Sequence, residues 1–158
     1  MDRDAFARLY ASSTGILLCL VGLVGFAVGP EFAEPSLTEN LPGPYPVNGW
    51  VDSLHLVTGL LALGLARWRP AAWALVGGLL YTGLGLWGVL APDGEFLAGV
   101  LPATRLVNLT NLLIGLAGLI ALAVARTPPL QIPEGARRRR IRRARKRRRR
   151  AARPGGTN

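Results

Sequence analysis

The sequence predicts an all-α membrane protein. Four transmembrane helices are arranged as two parallel helical-hairpin repeats, followed by a disordered Arg-rich C-terminal tail. Three observations predict it. Four stretches approach the roughly 20 apolar residues needed to cross a hydrocarbon core of about 30 Å. A motif in the second stretch, Val51-Asp52-x-x-His55-Leu56-x-x-Gly59-Leu60, returns in the fourth as Val107-Asn108-x-x-Asn111-Leu112-x-x-Gly115-Leu116. Most Lys and Arg residues lie beyond position 136, so the net charge of +10 belongs to the tail. Hydrophobic residues make up 50% of the chain although its last quarter is nearly devoid of them, leaving residues 1–126 more apolar than a water-soluble domain requires.

The first span, about 9–28, carries no charge and follows Arg3 and Arg8. A cleaved signal peptide is the rival reading of this segment. The apolar run is long for one, and its removal would leave the first repeat without a partner helix. Residues 30–49, rich in proline and acid, are expected to form an irregular loop in which Leu41–Pro46 favours extended or turn backbone. The second span, about 50–66, carries Asp52 and His55 near its start. Arg67 and Arg69 make a tight turn into the third span, about 71–91, which lies between Pro70 and Pro92. A shorter loop precedes the fourth span, about 105–125. In lipid each backbone amide must be satisfied within its own segment unless a barrel closes, so helices are expected rather than strands. The cations flank the termini and the Arg67–Pro70 turn, whereas Glu31, Glu34, Glu39, Asp93 and Glu95 occupy the other two loops. The positive-inside rule then gives a multi-pass protein of the cell membrane with both termini cytoplasmic. Arg105 is the exception, and its long stem allows it to snorkel to the outer interface.

Gly15, Gly22 and Gly25 match Gly78, Gly85 and Gly88 in spacing, a weaker echo ahead of each motif. Asp52, His55 and Gly59 share one helix face, as do Asn108, Asn111 and Gly115. With both termini inside, the second and fourth spans run the same way, related by a pseudo-twofold axis along the membrane normal. The simplest packing brings the two marked faces together at the bundle centre. Gly59 and Gly115 then permit close approach, and the polar side chains form an interhelical clamp. Gly22, Gly25, Gly85 and Gly88 read first as packing surfaces and only second as the lining of a pore or lipid groove. An ionisable residue within a span is a functional candidate, so Asp52 and His55 are also a candidate proton site. Both sit near the end of their span, where burial costs less, and their counterparts Asn108 and Asn111 do not titrate. The clamp is therefore the favoured reading. One His and one Asp make at most half a metal site, so no metal and no cofactor are expected. The single Cys19 excludes an internal disulfide and reads as a packing residue. Trp50, Trp68, Trp73 and Trp87 are assigned to the membrane interface.

After a proline-rich linker the tail runs through Arg137, Arg138, Arg139, Arg140, Arg142, Arg143, Arg145, Lys146, Arg147, Arg148, Arg149 and Arg150, interrupted only by Ile141 and Ala144. It has no apolar face to insert, and self-repulsion disfavours a fold in free solution. Beside a cytoplasmic leaflet each such cation contributes about 1 kcal/mol of attraction to anionic headgroups, less as neighbours saturate the field. Membrane lipid is the expected partner, with nucleic acid as the alternative. No aromatic residues interleave the arginines, so a base-stacking platform is missing.

The run Val47-Asn48-Gly-Trp-Val-Asp52-Ser-Leu-His55, followed by Gly59, resembles a family of small bacterial membrane proteins catalogued as domain of unknown function 4383. The likeness covers roughly Phe6 to Ala125. It implies a four-helix protein with a related Asp/Asn-and-His start to its last span, which here has become Asn108-Leu-Thr-Asn111; it implies no activity. The absent second histidine argues against any mechanism needing a symmetric His pair. With no nucleophile–base pairing or cofactor motif, the expected function is that of a non-enzymatic membrane protein, structural or accessory, whose tail binds anionic lipid; a homodimer is a compatible state. The alternatives are a small proton-linked transporter or pH-responsive protein using Asp52 and His55, and a tether for RNA or ribosomes. The stretch between Thr58 and Arg67 offers nothing polar, which counts against permeation.

Overall fold

The computed structural model describes residues 4–36, 38–41, 45–92 and 95–126. The linker and the arginine tail, Pro42–Pro44 of the first loop and Asp93 of the second lie outside the described residues. Four helices are each long and apolar enough to cross a membrane: α1 (Asp4–Val28), α2 (Gly49–Trp68), α3 (Pro70–Leu90) and α4 (Arg105–Arg126). At 1.5 Å per residue they extend about 30 to 37 Å, which marks a multi-pass membrane protein.

Their ends follow local chemistry. Pro70 begins α3 at a position where a missing N–H costs nothing, so a single residue, Arg69, separates it from α2. Ala91, held in extended backbone ahead of Pro92, ends α3. Each helix packs chiefly on its chain neighbour across a long loop, α1 on α2 and α3 on α4. Contacts between α1 and α4, α1 and α3, and α2 and α3 join the two pairs.

Side chains are distributed as lipid requires rather than as water requires. The helices bury mainly Gly, Ala and Thr, while Leu20, Leu61, Leu79 and Ile120, among many others, are exposed. Small residues let the backbones approach, and large apolar ones gain nothing by leaving a hydrocarbon solvent. The apolar core gathers toward the end nearest the Arg69 turn, where Tyr10 and Trp73 lie among Ala7, Ala11, Ala66 and Ala121. Trp73 is a correction to the sequence reading. Instead of lying at an interface it is 1% exposed, and its indole donates to Thr14 Oγ1 at 3.2 Å. Trp50, Trp68 and Trp87 are exposed.

The loops are also more ordered than their composition predicts. β1 (Glu39–Leu41) pairs antiparallel with β2 (Tyr45–Val47), and β3 (Phe96–Leu97) with β4 (Leu101–Pro102). Prolines hide these ribbons in the sequence. In a two-stranded ribbon every strand is an edge, so Pro46 and Pro102 need not donate to a further ladder. Ala98, at φ +50°, and Gly99, at φ +75°, are the two left-handed residues that close the second ribbon.

Candidate functional site

The site is built from the start of α2. Asn48, in extended backbone, caps the helix by accepting from the Val51 N–H at 3.0 Å. Its amide donates twice more, to the carbonyl of Pro35 and to that of Val100, each at 2.9 Å. One buried side chain thus joins the helix start to both loops. Gly49 N–H donates to the Glu31 carbonyl at 2.8 Å, and the ring of Phe32 lies against Gly49 where a Cβ would stand. The Glu31 carboxylate accepts from the backbone N–H groups of Ala33 (2.6 Å) and Glu34 (3.1 Å). These bonds hold its carboxyl below the usual range.

One turn in, Asp52 is fully buried. Gly25 of α1 lies directly against its carboxylate, and a Cβ at Gly22 would meet the Asp52 carbonyl at 2.8 Å. Both carboxylate oxygens lack a hydrogen-bond partner among the described residues. His55, on the same face, is 3% exposed, and its Nδ1 also has no partner. It lines a cavity of about 260 Å³ with Leu17 and Val21 of α1, Leu41 and Tyr45 of the first ribbon, and Thr110 and Ile114 of α4. The Tyr45 and His55 rings stand 6.5 Å apart. Burial first, and then the charge of Asp52, push the Tyr45 phenol up to about 12, so it keeps its proton at physiological pH. His55 and Tyr45 therefore offer an imidazole and a neutral phenol to an apolar cavity below the first ribbon, with the Asp52 carboxyl one turn before His55 on the same helix face. No group of three or more His, Cys, Asp or Glu among the described residues is placed to hold a metal.

The second marked face is arranged in a like manner but separately. Gly88 of α3 lies against the Asn108 amide, and Gly85 would bring a Cβ to 2.8 Å from the Asn108 carbonyl and 2.7 Å from the Leu112 nitrogen. Gly59 meets Cys19 of α1, while Gly115 meets the backbone nitrogen of Thr82 in α3. Asn111 is buried beside Asn108 on the α4 face. Asp52 and Asn108 do not lie against one another as the sequence reading expects: Asp52 lies against Gly25 and Asn108 against Gly88, while His55 shares its cavity with Thr110 and Ile114 of α4. Asp52 and Asn108 each turn to the glycines of their own partner helix, which allow close backbone approach.

The interhelical hydrogen bonds lie elsewhere. Thr58 Oγ1 and Tyr81 OH are 2.7 Å apart across α2 and α3, Trp73 reaches Thr14 across α3 and α1, and Tyr10 OH donates to the Ile114 carbonyl at 3.1 Å across α1 and α4. Tyr45, Thr58 and Tyr81 are not singled out by sequence reasoning, and Asn48 enters it only as part of the run from Val47 to His55. Asn48 alone carried a signal, as an N-cap residue placed before an apolar run. The tail residues Arg137–Arg150 lie outside the described residues.

Residues 8–125 match a family described as Domain of unknown function (DUF4383). No curated protein and no solved structure matches the chain.

Proposed function

The chain belongs to the Domain of unknown function (DUF4383) family, and from that premise we propose a non-enzymatic, accessory protein of the cell membrane with both termini cytoplasmic. In this reading its body is two parallel hairpin repeats, and its polybasic tail holds anionic lipid. The observation that carries the reading is the parallel set of contacts in the two helix pairs. Gly22 and Gly25 sit on Asp52 and Leu56 as Gly85 and Gly88 sit on Asn108 and Leu112. Such contacts support a scaffold held together by close backbone approach. Deleting residues 127–158 and analysing co-purified lipid and RNA tests the tail. Anionic lipid lost with the tail supports the reading. RNA retained only with the tail, and released by moderate salt, overturns it in favour of a nucleic-acid tether.

A second reading, a pH-responsive or proton-linked role for Asp52 and His55, is favoured by one observation. Asp52 makes no interhelical hydrogen bond with the described residues, so a clamp does not account for its burial. An uncompensated buried carboxylate is costly and is retained where it has a task. The titratable groups on this face are His55 of α2 and Tyr45 of β2, while Gly22 and Gly25 of α1 lie against Asp52. Replacing Asp52 and His55 by Asn together copies the other motif. Melting in lipid discs from pH 5 to 8 then decides between the two readings. A pH-dependent step present in the wild type and absent from the variant supports the proton role. Two flat and equal curves leave a replaceable structural pair.

A further inference from the structure

The cavity of about 260 Å³ below the first ribbon has Leu18 of α1 and Ile114 of α4 on its wall, together with Tyr45 and His55. We propose that it seats one uncharged alcohol drawn from the bilayer, with its apolar body in the cavity and its hydroxyl on His55 and Tyr45. The inference goes beyond the accessory function above and does not depend on whether Asp52 or His55 titrates.

The size and chemistry of the wall set the class of guest. A cavity of about 150 Å³ holds one benzene ring, so this one holds on the order of ten carbons. Leu17, also on the wall, is 48% exposed, so the cavity reaches the outward face of α1, where a bilayer molecule would enter. Two polar groups interrupt the apolar lining, on rings 6.5 Å apart. His55 is buried, and no described residue forms a hydrogen bond to its ring. Its Nδ1 is fully enclosed, which leaves Nε2 as the nitrogen that a guest reaches. A neutral imidazole accepts at that nitrogen, and the Tyr45 phenol donates. A hydroxyl, being donor and acceptor at once, suits both. Thr110 gives its own proton to the Leu106 carbonyl at 2.8 Å. An anion is disfavoured, because the Asp52 charge that holds the proton on Tyr45 would also repel it.

At the matching place of the repeated motifs the chain fills the space itself. In that register Leu18 and Ile114 correspond to Tyr81 and Thr58. Tyr81 is fully buried, and its hydroxyl lies 2.7 Å from Thr58 Oγ1. One side chain there supplies both an apolar ring and a hydroxyl. Leu18 is smaller and carries no polar atom, so a cavity is left beside it and the His55 ring goes without a partner. The proposed guest brings what Tyr81 brings at its own position.

The test uses the full chain in phosphatidylcholine discs at about pH 8, above the ordinary histidine range. His55 is the single histidine, so its ring nitrogen resonances report this site alone. Naphthol and decanol are titrated beside their hydrocarbons, naphthalene and decane, and beside decanoate. At least one of the two alcohols is expected to move the Nε2 resonance to saturation, with much smaller changes from the hydrocarbons and the anion. Leu18→Tyr, which copies Tyr81, should abolish the shift. Tyr45→Phe should weaken the apparent affinity about fivefold, the loss of one hydrogen bond. If Leu18→Tyr does not fold, Tyr45→Phe decides alone. The proposal is overturned if neither alcohol gives a saturable shift, if Leu18→Tyr retains it, or if Tyr45→Phe leaves the affinity unchanged. A response matched by the hydrocarbons would leave an apolar void only, and one matched by decanoate would remove the preference for an uncharged hydroxyl; either result also overturns it.

Discussion

At the loop end of the α1–α2 pair, Asp52 lies against Gly25, its charge reaches the half-buried Tyr45 phenol, and Phe26, Phe32 and Trp50 pack together nearby. At the loop end of the α3–α4 pair, Asn108 lies against Gly88 in the same manner but borders an open cavity beside Arg105. The helix contacts are alike; the connecting segments are not. The one between α1 and α2 runs from 29 to 48 and folds back to cover its own helix ends, whereas the one between α3 and α4 runs from 91 to 104 and brings no aromatic side chain to that place. A glycine-on-polar contact fixes how close two helices come. The loop then decides whether the space above is sealed or left open.

The comparison breaks most visibly at the helix starts. Asn48→Ala removes a cap and leaves the Pro35 and Val100 carbonyls unbonded, a loss expected at about 3 kcal/mol. Thr104, which stands in the corresponding place, accepts from Val107 N–H at a long 3.4 Å, and Thr104→Ala should cost less than about 1 kcal/mol. Chemical denaturation in mixed micelles measures both, and equal losses would mean that the first loop is no better tied than the second.

Next come the close glycines. Gly115→Ala drives a methyl into the backbone of Thr82, and Gly59→Ala brings one to 2.7 Å from Cys19 Sγ and 2.8 Å from its nitrogen. Overpacking of this kind costs about 1–3 kcal/mol. Gly115→Ala is expected at the top of that range and Gly59→Ala below it, and the reverse order would show that the α3–α4 seam yields more readily than its contacts indicate.

Tyr81→Phe sharpens the contrast with a smaller effect. The Thr58–Tyr81 bond has no equivalent, because Leu18 and Ile114 hold the corresponding positions. Its loss should cost about 1 kcal/mol, and an unchanged melting curve would remove it from the forces joining the two pairs. The smallest effect is in the first loop. The Glu31 carboxyl is held below its ordinary value of 4.5 by backbone N–H donors. Its contribution is therefore present at neutral pH and fades as pH falls through that depressed value. Trp50, whose indole donates to the Phe32 carbonyl at 3.0 Å, should report a loosening by fluorescence in acid. Glu31→Gln should give the same signal at pH 7, and a signal insensitive to both changes would separate Glu31 from the order of the loop.

The four helices are legible in the sequence because a membrane span is long, apolar and almost uncharged, a pattern that few competing structures share. The ribbons are not legible, because Pro46 and Pro102 sit in strands too short and too edge-like to show an alternating pattern. The candidate site is half legible. Repetition marks Asp52, His55, Asn108, Asn111 and the glycines opposite them, and helical spacing places each set on one face. Spacing defines a face without naming what it meets, so the pairing of Asp52 with Gly25 rather than with α4 had to come from three dimensions. Trp73 illustrates the same limit. Its nearness to a span end is a property of position in the chain, while its burial depends on Thr14 of another helix accepting from its indole.

The two acceptors of the Asn48 amide also bear on how the protein is made. Pro35 leaves the ribosome before Asn48, but Val100 follows it by 52 residues, with the whole of α3 between them. At about 5–20 residues per second, the second acceptor arrives several seconds late. Until then the start of α2 is only partly tethered, so the first helix pair is completed by a residue delivered with the second. Assembly of the loop side is in that sense a single closing event, timed by the arrival of the third span.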